Sequence, residues 1–156
     1  MHRIEESVEV AAPLGAVYAS WVRCEEFPRF MRGVVSVDRS GPGTSWVVRT
    51  AAGPREFEAV TTELVADERV AWDSGPGPVR HRGVVTFHPV DERTTRVMLQ
   101  LEVEPHGLWE HLAEALGFVD RRVIDDLADF RHHVEEDCEG KSKEDGGPAA
   151  RAASEG

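Results

Sequence analysis

Hydrophobic residues recur at a helical spacing in the last third of the chain. After Pro105 and Gly107, large apolar side chains return every three or four positions as far as about Asp137. This stripe consists of Leu112, Leu116, Val119, Val123, Leu127, Phe130 and Val134. A period near 3.6 places them on one helix face, so the pattern predicts a helix of about 30 residues, ~45 Å long, with one buried stripe.

Before this helix, apolar and polar residues alternate in short runs separated by turn-forming residues. The last run is the clearest, because Val97, Leu99, Leu101 and Val103 alternate with polar positions. The predicted strands are 4–10, 34–39, 45–51, 55–65, 69–74, 82–90 and 95–104. Gly, Pro and Asp in the segments between the strands favour turns, which predicts sequential antiparallel pairing. One face of the sheet should be exposed to solvent.

Two short helices are predicted between the first two strands, at 13–22 and 25–31. Pro13 suits a first helical turn, and Val17, Tyr18 and Trp21 recur at helical spacing. The concave sheet is then the surface that can bury the stripe of the long helix, which predicts an α+β fold. From Glu139 onward the chain lacks large apolar residues, so we predict one domain at 1–138 and a disordered tail at 139–156.

Composition and charge narrow the function. A formal net charge of -11 opposes binding to nucleic acids and anionic membranes. No segment has the length of a membrane span or the pattern of a secretory signal, and the two cysteines, Cys24 and Cys138, lack metal or redox spacing. We therefore expect a cytoplasmic protein without a membrane span, either a monomer or a homodimer.

The chain lacks the common motifs of nucleophilic catalysis, phosphate binding and metal binding. It contains no G-x-S-x-G or S-x-x-K sequence, no Gly-rich loop leading into a helix with Lys, and no H-E-x-x-H. We expect neither a metal nor an organic cofactor.

Four segments carry a resemblance to a known family. They are SVEVAAPLGAVYASW, EEFPRFMRGVVSV, GVVTFHPVDERTTRVMLQLEVEP and DRRVIDDLADFRHHVE. Together with the order of elements from Ile4 to Glu136, they resemble the helix-grip fold of the START-like (SRPBCC) superfamily, and within it the bacterial polyketide cyclase/dehydrase-like proteins. The resemblance implies a curved antiparallel sheet of about seven strands, with the long helix over a cavity for an aromatic or otherwise hydrophobic small molecule.

Cyclisation of a poly-carbonyl chain needs a group that removes a proton and donors that stabilise an enolate. Candidates for these catalytic roles are His81, Arg49, Arg82 and Asp73, each of which also reads as an ordinary surface or turn residue. His81 and Arg82 are adjacent in a strand, so one should face the cavity and the other solvent. Residues expected to line the cavity are Trp46, Phe57, Trp72, Phe87, Trp109, Leu116 and Val119.

The sequence is compatible with three functions. The chain could be a cofactor-independent polyketide cyclase, aromatase or dehydratase. It could instead be a non-catalytic carrier or sensor of a lipid, quinone or aromatic metabolite. A protein-interaction or stress-response module, comparable to heat-shock-ATPase activators with a related grip, is the third reading and would be marked by an exposed apolar patch.

Overall fold

The computed structural model describes residues 2–50, 53–75, 80–104 and 112–146, with side chains for 3–49, 53–75, 80–104 and 120–140. The described elements are, in order, β1 (His2–Val10), α1 (Leu14–Val22), a 3-10 helix (Cys24–Arg29), β2 (Val34–Ser40), β3 (Gly43–Thr50), β4 (Gly53–Val65), β5 (Arg69–Asp73), β6 (Arg80–Asp91), β7 (Thr94–Glu104) and α2 (Leu112–Gly146). The strands form one antiparallel sheet in the order β1-β7-β6-β5-β4-β3-β2. The predicted α+β helix-grip arrangement is confirmed.

The β2–β3 hairpin shows how turn residues set the register. Ser40 pairs with Gly43 across a two-residue turn, and Gly41 has a φ of 60°. A two-residue hairpin needs a positive φ at its first central position for the strands to keep their natural twist, and glycine reaches that conformation at little cost.

The core lies where the helices meet the concave face of the sheet. Phe130 of α2 is 0% exposed, with its ring 5.2 Å from that of Trp21 on α1 and 6.2 Å from that of Phe27 in the 3-10 helix. Val123, Leu127 and Val134 are also buried, as the stripe predicts, whereas the side chains of Leu112, Leu116 and Val119 lie outside the described residues.

Polar contacts fix the position of α2 against the rest of the fold. The backbone N–H of Ala11, just after β1, donates to Glu135 Oε2 at 2.8 Å. In the loop before β2, the backbone N–H and the guanidinium of Arg32 both donate to Asp129, and the N–H of Gly33 donates to Asp126 Oδ1 at 3.2 Å. These contacts hold α2 at both edges of the open sheet.

Two predicted elements differ from the structure. The second short helix is a 3-10 helix ending at Arg29, because Pro28 lies inside it and has no N–H for a longer helical ladder. The long helix does not end near Asp137 but continues to Gly146, so residues 139–146 are helical and not a disordered tail. Residues 147–156 lie outside the described part.

None of the helices in the described ranges is both long and apolar enough to span a bilayer.

Candidate functional site

Four ring-bearing side chains on the concave face form what we call the aromatic floor: Trp46, Phe57, Trp72 and His81. Trp46 and Phe57 are direct partners on β3 and β4, and their rings lie 5.8 Å apart at an interplanar angle of 7°. The rings of Phe57 and His81 meet at 90° with centroids 4.7 Å apart. These contacts join side chains from three strands into one aromatic surface.

Burial increases along the inward-facing row of β6, from the aromatic floor at His81 to the core at Val85 and Phe87. Val85 is 0% and Phe87 3% exposed, whereas His81, at the start of the same row, is only partly buried. Phe87 is covered by α1, with its ring 5.5 Å from Tyr18 and 6.4 Å from Trp21. The helices therefore seal one end of the concave face and cover the aromatic floor less completely.

The first turns of α2 extend towards the level of the floor. Glu6 of β1 contacts Asp120, and Ala11 contacts Glu135, so α2 runs alongside β1 in the same direction. Val103 of β7 pairs with His2 of β1 on one side and with His81 of β6 on the other, so the start of β1 lies level with His81. The backbone of residues 112–119, about 12 Å of helix, thus lies on the side of Asp120 nearer the floor.

His81 is the one predicted catalytic residue that lies on the concave face. Its backbone is fixed by Ser74, since the His81 N–H donates to Ser74 Oγ at 2.9 Å and the Ser74 N–H donates to the His81 carbonyl at 2.9 Å. Its neighbour Arg82 faces outwards and donates to Glu102 Oε2 at 2.8 Å. The alternation predicted for this pair therefore places the histidine inside.

Arg49 and Asp73 do not join His81 on the concave face. Arg49 is exposed, three positions after the inward-facing Trp46, and its Nε donates to the carbonyl of Arg32 at 2.8 Å. Asp73 accepts the N–H of Gly75 at 2.7 Å, as a turn-forming aspartate does. The expectation that these residues share a site with His81 is thus corrected, because strand alternation turns both away from it.

The predicted lining residues fall into three groups. Trp46, Phe57 and Trp72 belong to the aromatic floor. Phe87 is a core residue in contact with α1, which corrects its predicted place in the lining. Trp109 and the side chains of Leu116 and Val119 lie outside the described residues.

A pair of carboxyl groups between β1 and α2 was not predicted from the sequence. Glu6 lies on the inward row of β1 and shares a side-chain hydrogen bond with Asp120. That bond, then burial, then repulsion by the Asp120 charge raise the pKa of Glu6. In the sequence, Glu6 is a charged residue on the side of the strand that is otherwise apolar, but the sequence did not indicate its partner.

Two depressions lie on the surface of the described part of the protein. One, of about 430 Å³, lies between the 3-10 helix and α2, where Phe30 and His133 stack with centroids 3.8 Å apart. The other, of about 320 Å³, lies on the outer face of the sheet beside Arg82 and Glu102, and Trp72 and Gly83 also contribute to its lining. Both are open and bordered by charged side chains, so they do not resemble an apolar ligand cavity.

Known proteins are similar to this chain in sequence or in fold. An uncharacterised 17.2 kDa protein from the melC2-rnhH intergenic region of Streptomyces lincolnensis is 41% identical over 137 residues, which is 87% of this chain and 91% of that protein. The crystal structure of the Zhui aromatase/cyclase from Streptomyces sp. R1128 has a TM-score of 0.75 at 16% identity, covering 86% of this chain and 93% of that one. A START superfamily protein from Mycobacterium smegmatis has a TM-score of 0.70 at 14% identity, covering 87% and 99%.

The structural matches establish the START-like fold alone, because their identities are low. The family assignment comes from the sequence. The model described as polyketide cyclase / dehydrase and lipid transport matches residues 10–131, from the end of β1 to α2. The chain therefore belongs to the polyketide cyclase / dehydrase and lipid transport family.

Proposed function

We propose that this protein binds a planar, mostly apolar molecule between the aromatic floor and the first turns of α2. The observation that carries the proposal is the partial burial of inward-facing rings beside a fully buried core. Covering such a surface with a ligand removes apolar area from water, at roughly 25 cal/mol per Å². The family description, which names polyketide cyclisation and lipid transport, supports an apolar ligand.

The geometry of the floor favours a ring system that carries one polar atom. The rings of Trp46 and Phe57 stack nearly parallel, and the ring of His81 meets that of Phe57 edge to face, so a planar ligand could add a further ring contact beside an imidazole. An imidazole can donate or accept a hydrogen bond according to its protonation and tautomer, so it suits a hydroxyl or a carbonyl.

The test compares 2-naphthol with 2-methylnaphthalene, which has a methyl group in place of the hydroxyl, by equilibrium dialysis. We expect His81→Phe to lower the affinity for 2-naphthol about three- to tenfold, the range for one lost hydrogen bond. The affinity for 2-methylnaphthalene should stay within about twofold of the wild-type value. His88→Phe is the matched control, since His88 lies on the same strand but is exposed.

If the wild-type protein binds neither compound, the proposal fails. Equal weakening of both compounds by His81→Phe would overturn the role of His81 in hydrogen bonding.

Cyclisation of a poly-carbonyl substrate is the second candidate function, and the inward imidazole of His81 is the observation that favours it. In this reaction His81 would accept a proton from the carbon between two carbonyl groups, and the resulting enolate would attack another carbonyl of the same chain. The new C–C bond replaces the π bond of that carbonyl, and the alkoxide formed there takes the proton from His81. Arg49, Arg82 and Asp73 face away, so the described residues supply this base without the predicted guanidinium donors. Carriage of a ligand needs no such donors and is therefore the simpler proposal.

A linear poly-β-ketone thioester distinguishes the two functions. The enzyme hypothesis predicts ring-containing products by mass spectrometry and a loss of about 100-fold or more in rate for His81→Phe. Binding of the thioester without conversion by the wild-type protein would favour the carrier.

A further inference from the structure

The indole of Trp72 lies close to a glycine in the middle of a neighbouring strand. Trp72 on β5 pairs directly with Gly83 on β6. A Cβ at position 83 would lie 2.8 Å from Trp72 Cε2 and 2.8 Å from Leu101 Cδ2, closer than carbon atoms approach without a bond. The indole and the leucine therefore occupy the space that a side chain at position 83 would need.

Space, and not backbone conformation, explains why this residue is glycine. The φ of Gly83 does not lie in the left-handed region, whereas Gly41, Gly53 and Gly75 do have positive φ. Glycine within a strand costs stability and often marks the close approach of another group. Here the group is the indole of Trp72, which is partly buried on the same face as His81.

Gly83 also marks the boundary between the aromatic floor and the core. Along the inward row of β6 it stands between His81, which is partly buried, and Val85, which is 0% exposed. Leu101 closes the side towards β7. A side chain at position 83 would therefore have to displace the indole, Leu101 or both.

We propose that Gly83 and Trp72 together set the depth of the ligand site, and so limit the size of the planar ligand that fits. This inference rests on the proposed function, because it concerns the same site. With glycine at position 83 the indole lies low and leaves room for a wide planar molecule. With alanine there, a smaller ring system would still fit.

The experiment measures the affinities of 1-hydroxypyrene, with four rings, and 2-naphthol, with two, by equilibrium dialysis. We expect Gly83→Ala to lower the affinity for 1-hydroxypyrene about tenfold or more, and the affinity for 2-naphthol less than about threefold. Gly15→Ala is the matched control, because a Cβ at position 15 meets nothing within 4 Å.

A second substitution separates a change of depth from a loss of folding. Trp72→Phe removes part of the indole that Gly83→Ala would displace, so the double variant should recover 1-hydroxypyrene binding to within about threefold of wild type. Trp72→Phe alone is the reference for the double variant, because it removes ring atoms of the floor without adding a side chain at position 83.

Equal weakening of both probes by Gly83→Ala, no weakening of either, or no recovery in a double variant that unfolds cooperatively would each overturn the inference. A wild-type protein that binds neither probe would instead overturn the proposed function itself, and the inference with it.

Discussion

Asp126 carries a largely buried carboxyl group on the side of α2 that meets the loop before β2. Burial is the main cause that raises its pKa to about 6, and Asp125 and Asp129 add repulsion. The N–H of Gly33 and the charge of Arg122 act in the opposite direction. The ionised form is therefore less stable in the folded chain than in water.

We predict that Asp126→Asn stabilises the protein at pH 8. Because the folded pKa lies above the unfolded one, the contribution of this group is most favourable below about pH 4 and is lost as the pH rises through about 6. Asparagine keeps an oxygen for Gly33 without the charge. The expected gain, from urea denaturation, is about 1–3 kcal/mol at pH 8 and shrinks towards pH 4.

Asp38→Asn, at an exposed position of β2, provides the control. A gain for Asp126→Asn that stays constant from pH 4 to pH 8 would show that burial of the charge is not its cause.

At the scale of elements, α2 is stabilised by packing of one face and not by its sequence propensity alone. Phe130 lies at the centre of that face, between Trp21 and Phe27. Ile124, on the same helix, is 46% exposed. The two residues therefore allow a direct comparison of buried and exposed positions.

Phe130→Ala should lower the free energy of unfolding by about 3–5 kcal/mol, because it leaves a cavity among rings that cannot close around it. Ile124→Ala should lower it by less than about 1 kcal/mol, since it removes side-chain atoms that are mostly in water. Chemical denaturation measures both, and similar losses for the two variants would contradict the packing described here.

The strand and helix patterns predicted most of these elements because their apolar periodicities were regular. In β7, Val97, Leu99 and Val103 are buried as the alternation indicated. The stripe of α2 was predicted correctly for Val123 and Leu127 in the same way. A local pattern sufficed because each element buries one face.

For the whole molecule, the site was harder to predict because it depends on how the elements assemble. Alternation placed Phe87 inwards, but only the position of α1 over it makes it a core residue and not part of a lining. Likewise, the choice between His81 and Arg82 required the register with β7, where Glu102 pairs with Arg82 on the outer face. Glu6 was visible as an irregularity, but its partner lies more than one hundred positions away.

We propose the aromatic floor as the surface on which a ligand binds, and the indole N–H resonances report on this surface directly. Trp46 and Trp72 belong to the floor, whereas Trp21 packs in the core against Phe27 and Phe130. The Trp46 Nε1–H donates to Thr44 Oγ1 at 2.7 Å, which makes its resonance sensitive to movement of the ring.

The measurement is a proton–nitrogen correlation spectrum during titration with 1-hydroxypyrene, with each indole resonance assigned by substitution of its tryptophan with phenylalanine. We predict that the Trp46 and Trp72 resonances shift along one saturation curve while that of Trp21 stays in place. Saturable binding that leaves Trp46 and Trp72 unmoved would show that the ligand binds elsewhere and would contradict the account.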